Sequence, residues 1–497
     1  MARGIQIGLT GGFVAVAMSA FALPSADRER AVDWGPFYSR LEAVDGSVGT
    51  KVLGPLFERR TGPGADALVA VRPLYARATN AANRRVEGDL LWPVGEFSAM
   101  GTERGWRCLL AWYRCFDTGA ERPRWRLWVL PVYYQGRNSE GENYAAVFPF
   151  GGRISEFLGR DDCRFVLWPL WTRTTVDDME TLDILYPIYG VAHGTRTDRF
   201  RLFPFYGRAV QCGNYDKRFV LWPFWSDATF DSPSSKGSGY ILFPLYGRID
   251  LTDESSWMFL PPLFRVTRGA EVNRTYAPWP FFQWESGRRN RFHVWPLFGR
   301  TTDPGIDRSY LAWPILWRSR VYRGDMVSRS YWAAPVLYAE TLRDRHSAPD
   351  APPEGRRWKV WPLASYARER DEVRFRTPAL WPTRDFACIE RSWAPLWTLA
   401  DYRRAGANAD TEVLWGMFRR SVRGDVSART SIFPLVEWSG DAPAGQSARR
   451  EVSLLKGLLG FRWGGVGREL RILYGVRIGL GGTGPSSSTN QTISSHR

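Results

Sequence analysis

Histidine is almost missing from this chain: four residues in 497, at His193, His293, His346 and His496. None stands in a helical H-E-x-x-H pattern, so a zinc-protease helix is excluded and no metal cluster can be assembled. No G-x-S-x-G elbow is present, so a serine triad lacks its usual setting. Cysteine is equally thin, with five scattered residues, an odd number that argues against a disulfide framework. Cys108 and Cys115 fall in one predicted strand, on opposite faces and roughly 23 Å apart if extended, beyond bridging distance. Lysine supplies only five of the 67 basic residues. Past the N-terminal segment no run of about 18 apolar residues occurs, so no transmembrane helix is expected.

What is abundant is aromatic and guanidinium. Phe, Trp and Tyr make up 15% of the chain, Trp alone contributes 25 residues, and the net charge is +16. Arginine stacks on aromatic faces and forks onto phosphate or carboxylate, so such a surface suits lipid head groups, acidic glycans or nucleic acid. The N-terminus narrows these. Arg3 precedes an uncharged stretch with an apolar centre at Phe13 to Ala22, and Ala20-Phe21-Ala22 forms a small-residue cleavage site. Residues 1–22 therefore read as a secretory signal peptide. Export removes nucleic acid from the partners and leaves membrane lipid, lipopolysaccharide or acidic glycan.

The stretch from Phe165 to Arg248 repeats one pattern five times: FVLWPLWTR, ILYPIYG, RLFPFYGR, FVLWPFWSD and YILFPLYGR. Slots before it, at Pro36, Pro55, Pro73, Pro93, Ala111, Pro131 and Pro149, alternate between steps of 18 and 20 residues, apart from a first step of 19. Slots after it continue through Pro262, Pro280, Pro296, Pro314 and Pro335, then unevenly through Pro362, Pro382, Pro395 and Pro434, with Gly416, Gly457 and Gly475 lacking the proline. A fixed step of this kind marks tandem supersecondary units. The copies are rich in Val, Ile, Phe, Tyr and Trp and bounded by Gly, Asp, Ser and Arg, which favours strands over helices. The expectation is an all-β, antiparallel up-and-down meander of about 24 strands, a hairpin every 38 residues or so, over residues 23–480 and closed as a barrel. Residues 481–497 read as a disordered, Ser/Thr/Gly-rich tail. Asp344 to Arg357 and Asp231 to Gly239 read as loops, and Ile154 to Arg160 as one helical turn.

The proline is the difficulty. In a central strand it removes a ladder donor, so either the sheet bends there or each copy is two short strands meeting at the proline. As one strand, Phe219 to Trp225 is apolar on both faces, unlike a porin wall with its polar lumen side. Arg153, Arg208, Arg248 and Arg300, each following a glycine, form a candidate line along one rim of the sheet, facing lipid phosphate or acidic polysaccharide. Trp171 and Trp225 are candidate ligand or lipid contacts; at fixed repeat positions among leucines, such tryptophans pack in a core or face lipid more readily than they stack on sugars. Asp161-Asp162 and Asp177-Asp178 with Glu180 read first as turn residues. Gly479, Gly481 and Gly484 match G-x-G-x-x-G, but a polar tail follows and no helix, so no dinucleotide site is expected. No catalytic residue, cofactor or metal ligand emerges, which points away from an enzyme.

The repeats, the segment FPFGGRISEFLGRDDCRFVLWPLW and the ending LLKGLLGFRWGGVGRELRILYGVRI resemble a group of uncharacterised exported bacterial proteins with FPxYGR and LWPxW strands. The resemblance covers nearly the whole mature chain and implies an envelope location, with no activity attached. Together these readings predict an outer-membrane-associated barrel with a structural or transport role. The alternative is a soluble periplasmic or surface β-repeat module binding glycan or protein.

Overall fold

A computed structural model describes residues 32–480 apart from 63, 65, 234, 349, 442–447, 465, 466, 474 and 475. The expected signal peptide, the polar tail and the Gly475 slot lie outside the described residues. Forty-six short strands, from β1 (Val32–Trp34) to β46 (Val476–Leu480), form one sheet. Each pairs antiparallel with its neighbours in sequence, so the meander is as expected in kind. It is not closed into a barrel, and it has nearly twice the expected strands.

Both differences come from where the prolines sit. Strands β15 (Arg160–Val166), β16 (Trp171–Val176) and β17 (Met179–Ile184) leave Leu167 to Leu170 as a connection, with Pro169 inside it. Leu170 N–H donates to the Leu167 carbonyl at 2.8 Å, and the Trp168–Pro169 bond is cis. This is a four-residue turn with cis-proline at its third position. Proline has no N–H and a fixed φ, which suits a turn and spoils a strand. Each step of about 19 residues is therefore a whole hairpin: proline turn, strand, polar turn, strand. Of the two arrangements the sequence leaves open, two strands meeting at the proline is the one adopted. The run from Phe219 to Trp225 is likewise the end of one strand, a turn and the start of the next, not a strand buried on both faces.

Other expectations change for local reasons. Ile154 to Arg160 is strand and tight turn, not a helical turn, because Leu158 and Gly159 both take positive φ and reverse the chain. Asp231 to Gly239 is mostly strand, the poor propensity of its Ser and Gly overridden by pairing on both sides. Cys108 and Cys115 lie on the two strands of one hairpin instead of a single strand, and both are free. The slots at Pro382 and Pro395 are not strands either: residues 378–399 carry two short helices, α1 (Ala387–Ser392) and α2 (Ala394–Trp397). Two glycines that precede the repeated arginine, Gly207 after Tyr206 and Gly299 after Phe298, have a packing cause. A Cβ on Gly207 would stand 2.1 Å from the Phe219 ring, and one on Gly299 would stand 2.1 Å from Tyr310. In each case the ring of the next strand lies over the glycine.

Although no strand pairing closes the sheet, its two ends meet through side chains. The face they press together is called the inner face below. Arg419 donates to Asp33 (2.6 Å), Ser39 (3.0 Å) and Glu412 (3.1 Å), and Lys51 reaches Glu412 at 2.5 Å. Arg391, on α1, donates to Asp89 (2.9 and 3.0 Å) and Glu87 (2.8 Å), while Arg72 donates to Glu58 (2.6 Å) and the Arg391 carbonyl (2.6 Å). Asp89 is 1% exposed. Buried charges of this kind are costly unless fully partnered, and here each acid meets a guanidinium or ammonium.

Burial works to raise the carboxyls of Glu58, Asp401 and Glu412, but nearby cations overcome it: Arg60 and Arg72, Arg403 and Arg374, and Lys51 and Arg419 respectively hold them below the usual carboxylate range. A carboxyl depressed by folding stabilises the native state above its unfolded pKa of about 4 and loses that contribution as pH falls further. The seam between the ends is thus expected to weaken progressively as pH falls below about 4. Hydrogen exchange at pH 7 and pH 3 checks this: protection should fall first in residues 33–92 and 381–433, with the hairpins between 160 and 250 holding longer. Simultaneous loss everywhere would refute the seam as a separate unit.

Candidate functional site

Because every proline turn lies at the same end of its strands, the sheet has two unlike edges. At the far edge the turns are polar and tied together by acids. Asp161 accepts the Asp177 N–H (2.6 Å), Asp178 the Thr195 N–H (2.7 Å), and Glu156 the Ser139 N–H (3.1 Å). Asp162 pairs with Arg153 and Arg164, and Glu180 with Arg173. The acidic groups noted in the sequence are turn and strand linkers. Among the described residues no group of three metal-ligating side chains occurs.

At the proline edge the turns are bonded to one another through the backbone. Leu167 N–H donates to the Phe150 carbonyl (2.7 Å) and Trp168 N–H to Pro149 (2.8 Å). Leu185 and Tyr186 donate in the same way to Leu170 (2.8 Å) and Pro169 (2.9 Å), and Leu221 and Trp222 to Phe205 and Pro204 (both 2.7 Å). The pattern returns as Trp313 to Pro296 (2.7 Å). The turn amides that proline leaves over are therefore satisfied by the neighbouring turn, while the side chains Leu167, Trp168, Leu170, Phe205, Leu221 and Phe224 point out and are exposed. This is a continuous apolar edge with few free backbone polar groups.

Two features of these turns are costly to the isolated fold. Leu167, Leu185 and Leu221 have φ of 45°, 48° and 49°, in the left-handed region, and are about half exposed at 50%, 47% and 53%. A left-handed L-residue costs roughly 1–2 kcal/mol, which glycine would largely relieve. An exposed leucine regains none of it by burial. Strain that is held without packing benefit marks a functional position.

The strand face that continues this edge is graded. Its first cross-strand row runs Val166, Trp171, Ile184, Tyr189, Leu202, Tyr206, Val220, Trp225, all apolar or aromatic. Two residues further from the edge, about 7 Å along the strand, a second row runs Arg164, Arg173, Leu182, Val191, Phe200, Arg208, Arg218, Asp227, Tyr240, Arg248, Trp257. Arg153 stands opposite Arg164, and Arg300 opposite Phe292, in the same row. The four candidate arginines thus share one line, but it lies on the outer face and not on a rim.

Nor are these guanidinium groups bare. Arg208 pairs with Asp216 (2.8 Å), Arg248 with Asp250 (2.6 Å), Arg153 with Asp162 (2.5 Å) and Arg300 with Asp307 (3.7 Å). Arg248 also lies 4.6 Å over the Trp257 ring. Hydrogen bonding and the charge of Asp216 raise the Arg208 pKa, so the cation is permanent. Trp225 stacks on Tyr240 at 5.5 Å and donates to Asp227 at 3.2 Å. Trp171 and Trp225 both belong to the first apolar row, not to a core between layers. The sequence signal for these positions was the proline; what it hid was that Trp168, Trp222 and Trp279 sit in the turns themselves, outside any strand.

No family model matches the chain, and no curated protein matches its sequence.

Exposed ion pairs and cation–π contacts are worth about 1 kcal/mol or less. Arg248→Ala is therefore expected to lower unfolding stability by no more than about 1 kcal/mol, read from urea midpoints at constant m-value. A loss of several kcal/mol would mean the row holds the sheet together instead of serving its surface.

Proposed function

We propose that this chain is an envelope protein that lies on a lipid leaflet, with the proline edge among the acyl chains and the arginine row at the phosphates. The observation that carries the reading is the edge itself: strained, exposed leucines on a backbone whose amides are bonded turn to turn. Lipid offers no hydrogen-bond partners, so only a backbone satisfied internally can enter it at low cost. The apolar zone is one turn plus one strand row deep, consistent with the roughly 5–10 Å insertion of an interfacial protein. Tryptophan and tyrosine beside the turns suit the membrane–water boundary. The strands are too short to span, since a transmembrane strand needs about 9–11 residues and these have three to eight. The closed barrel is not carried forward, and the role proposed is structural, with an anionic leaflet favoured by the arginine row.

Flotation with vesicles of zwitterionic lipid, with and without an anionic lipid, tests this. The parent should float with both and more strongly with the anionic lipid. Leu167→Asp, Leu185→Asp and Leu221→Asp combined should weaken binding at least about 100-fold, given roughly 1.5–3 kcal/mol per buried leucine. A soluble glycan-binding module would stay at the bottom of the gradient, and a triple variant that floats like the parent would end the proposal. The glycine versions of the same three sites should also lose lipid binding. Their stability should remain unchanged or rise by up to about 1 kcal/mol per site, as relief of strain is offset by unfolded-state entropy.

A further inference from the structure

The inner face between Arg160 and Ile249 holds a groove of about 780 Å3. Its floor is unusually low. Gly190, Ala192, Gly207, Ala209, Ala228 and Gly239 line it, and Phe219 and Ile241 supply apolar wall. At one end stand Tyr186 and Trp222, which belong to proline turns, so the groove begins at the apolar edge. Toward the polar edge stand Arg160, Arg199 and Lys217.

The charges are not distributed as a structural network would have them. Arg201 is taken by Asp183 at 2.5 Å, Arg208 by Asp216 and Arg218 by Asp227. Arg160, Arg199 and Lys217 are exposed and make no ion pair among the described residues. Arg199 and Lys217 rise from one cross-strand row whose other members here are Ala192, Ala209, Ala228 and Gly239. Lys217 rests 4.2 Å over the Tyr215 ring and 5.6 Å over Phe230. The Nε of Arg201, a lining residue, is buried without a hydrogen-bond partner. A groove of this volume is of ligand size, and an apolar trough ending in cations that make no ion pair among the described residues is complementary to one kind of molecule.

We propose that this groove binds a single-chain anionic amphiphile of the fatty-acid or lysophospholipid class. The acyl chain lies over the Gly/Ala floor against Phe219 and Ile241, and the anionic head meets Arg160, Arg199 and Lys217. Small residues on the floor make room that larger side chains would fill, and each buried methylene contributes about 0.8 kcal/mol. Entry of the chain past Tyr186 and Trp222 rests on the proposed seating of the proline edge in a leaflet; binding in the groove does not.

The probe is a dansyl-labelled undecanoic acid, titrated into full-length protein without vesicles. Saturable one-to-one binding is expected. Ala209→Trp, which fills the floor, should weaken it at least tenfold. Arg199→Glu with Lys217→Glu should do the same through exposed positions that leave folding intact, as the β-sheet circular dichroism will show. The parent should prefer the acid over the matching uncharged alcohol by about tenfold, and the charge-reversed variant should lose that preference. Non-saturable partitioning, or equal affinity in the parent and both variants, would overturn the site. Ala209→Trp should float with vesicles like the parent, so failure of the groove and failure of the apolar edge are read separately.

Discussion

The backbone hydrogen bonds from each proline turn to the turn before it, accepted at that turn's proline or at the residue after it, are the contacts on which the rest of the sheet depends. A turn normally leaves amides facing water. Here proline removes one of them, and the neighbouring turn takes up the others, as Trp168 to Pro149, Tyr186 to Pro169, Phe203 to Ile188 and Trp222 to Pro204 do in succession. The connection thereby becomes part of the ladder rather than an interruption of it. That permits apolar side chains to dominate the turns without leaving orphaned polar groups beneath them. It also fixes which end of every strand is apolar, because a hairpin meander with one kind of turn at one end must place the other kind at the opposite end.

Once the edges differ, the outer strand face must be graded between them. The first row is apolar because it adjoins the turns, the second mixes Arg with Phe, Tyr and Trp, and the turns beyond are acidic and linked by carboxylates. The aromatic and arginine content that looked like two unrelated biases in composition is one arrangement in space. Arginine at the second row keeps its carboxylate partner on the same or the next strand, which prevents adjacent guanidinium groups such as Arg208 and Arg218 from repelling without relief. The inner face follows different rules. Toward the ends of the sheet it carries paired charges such as Arg419 with Asp33, while its middle mixes glycine and alanine with bulky residues such as Tyr134, Phe165 and Phe219.

The class of fold was legible from the repeat, since β-branched and aromatic residues at a fixed step admit few other readings. The strand count was not. Leu-Trp-Pro-Leu satisfies the propensity of a strand at every position but one, and the exception carries the answer: the single proline converts an apparent core strand into an exposed turn. The alternation of 18 and 20 residues suggested a two-strand unit twice as long as the real hairpin, because strand direction cannot be read from spacing alone. Arg153, Arg208, Arg248 and Arg300 share a motif in sequence and a cross-strand row in the sheet. Their place on the outer face, and their committed carboxylates, depend on cross-strand register, which the sequence of one strand does not contain. Nothing in the sequence marked Asp33 with Arg419 or Asp89 with Arg391, pairs more than 300 residues apart that form only when the sheet returns on itself.

On the proposed seating in a leaflet, the number of repeats follows from the same physics. A single turn offers one or two exposed leucines or aromatics, and against a strained backbone its net gain on entering lipid is small. Adhesion of the proposed kind would therefore come from many equivalent contacts on one rigid support. Once one turn is seated, its neighbours are held at the surface at high effective concentration, so their small gains add without a new cost of association. A compact core would need far fewer residues than 46 strands supply, and it would hide the side chains the turns hold out. The repeat number is better understood as setting the length of an apolar line than as filling an interior.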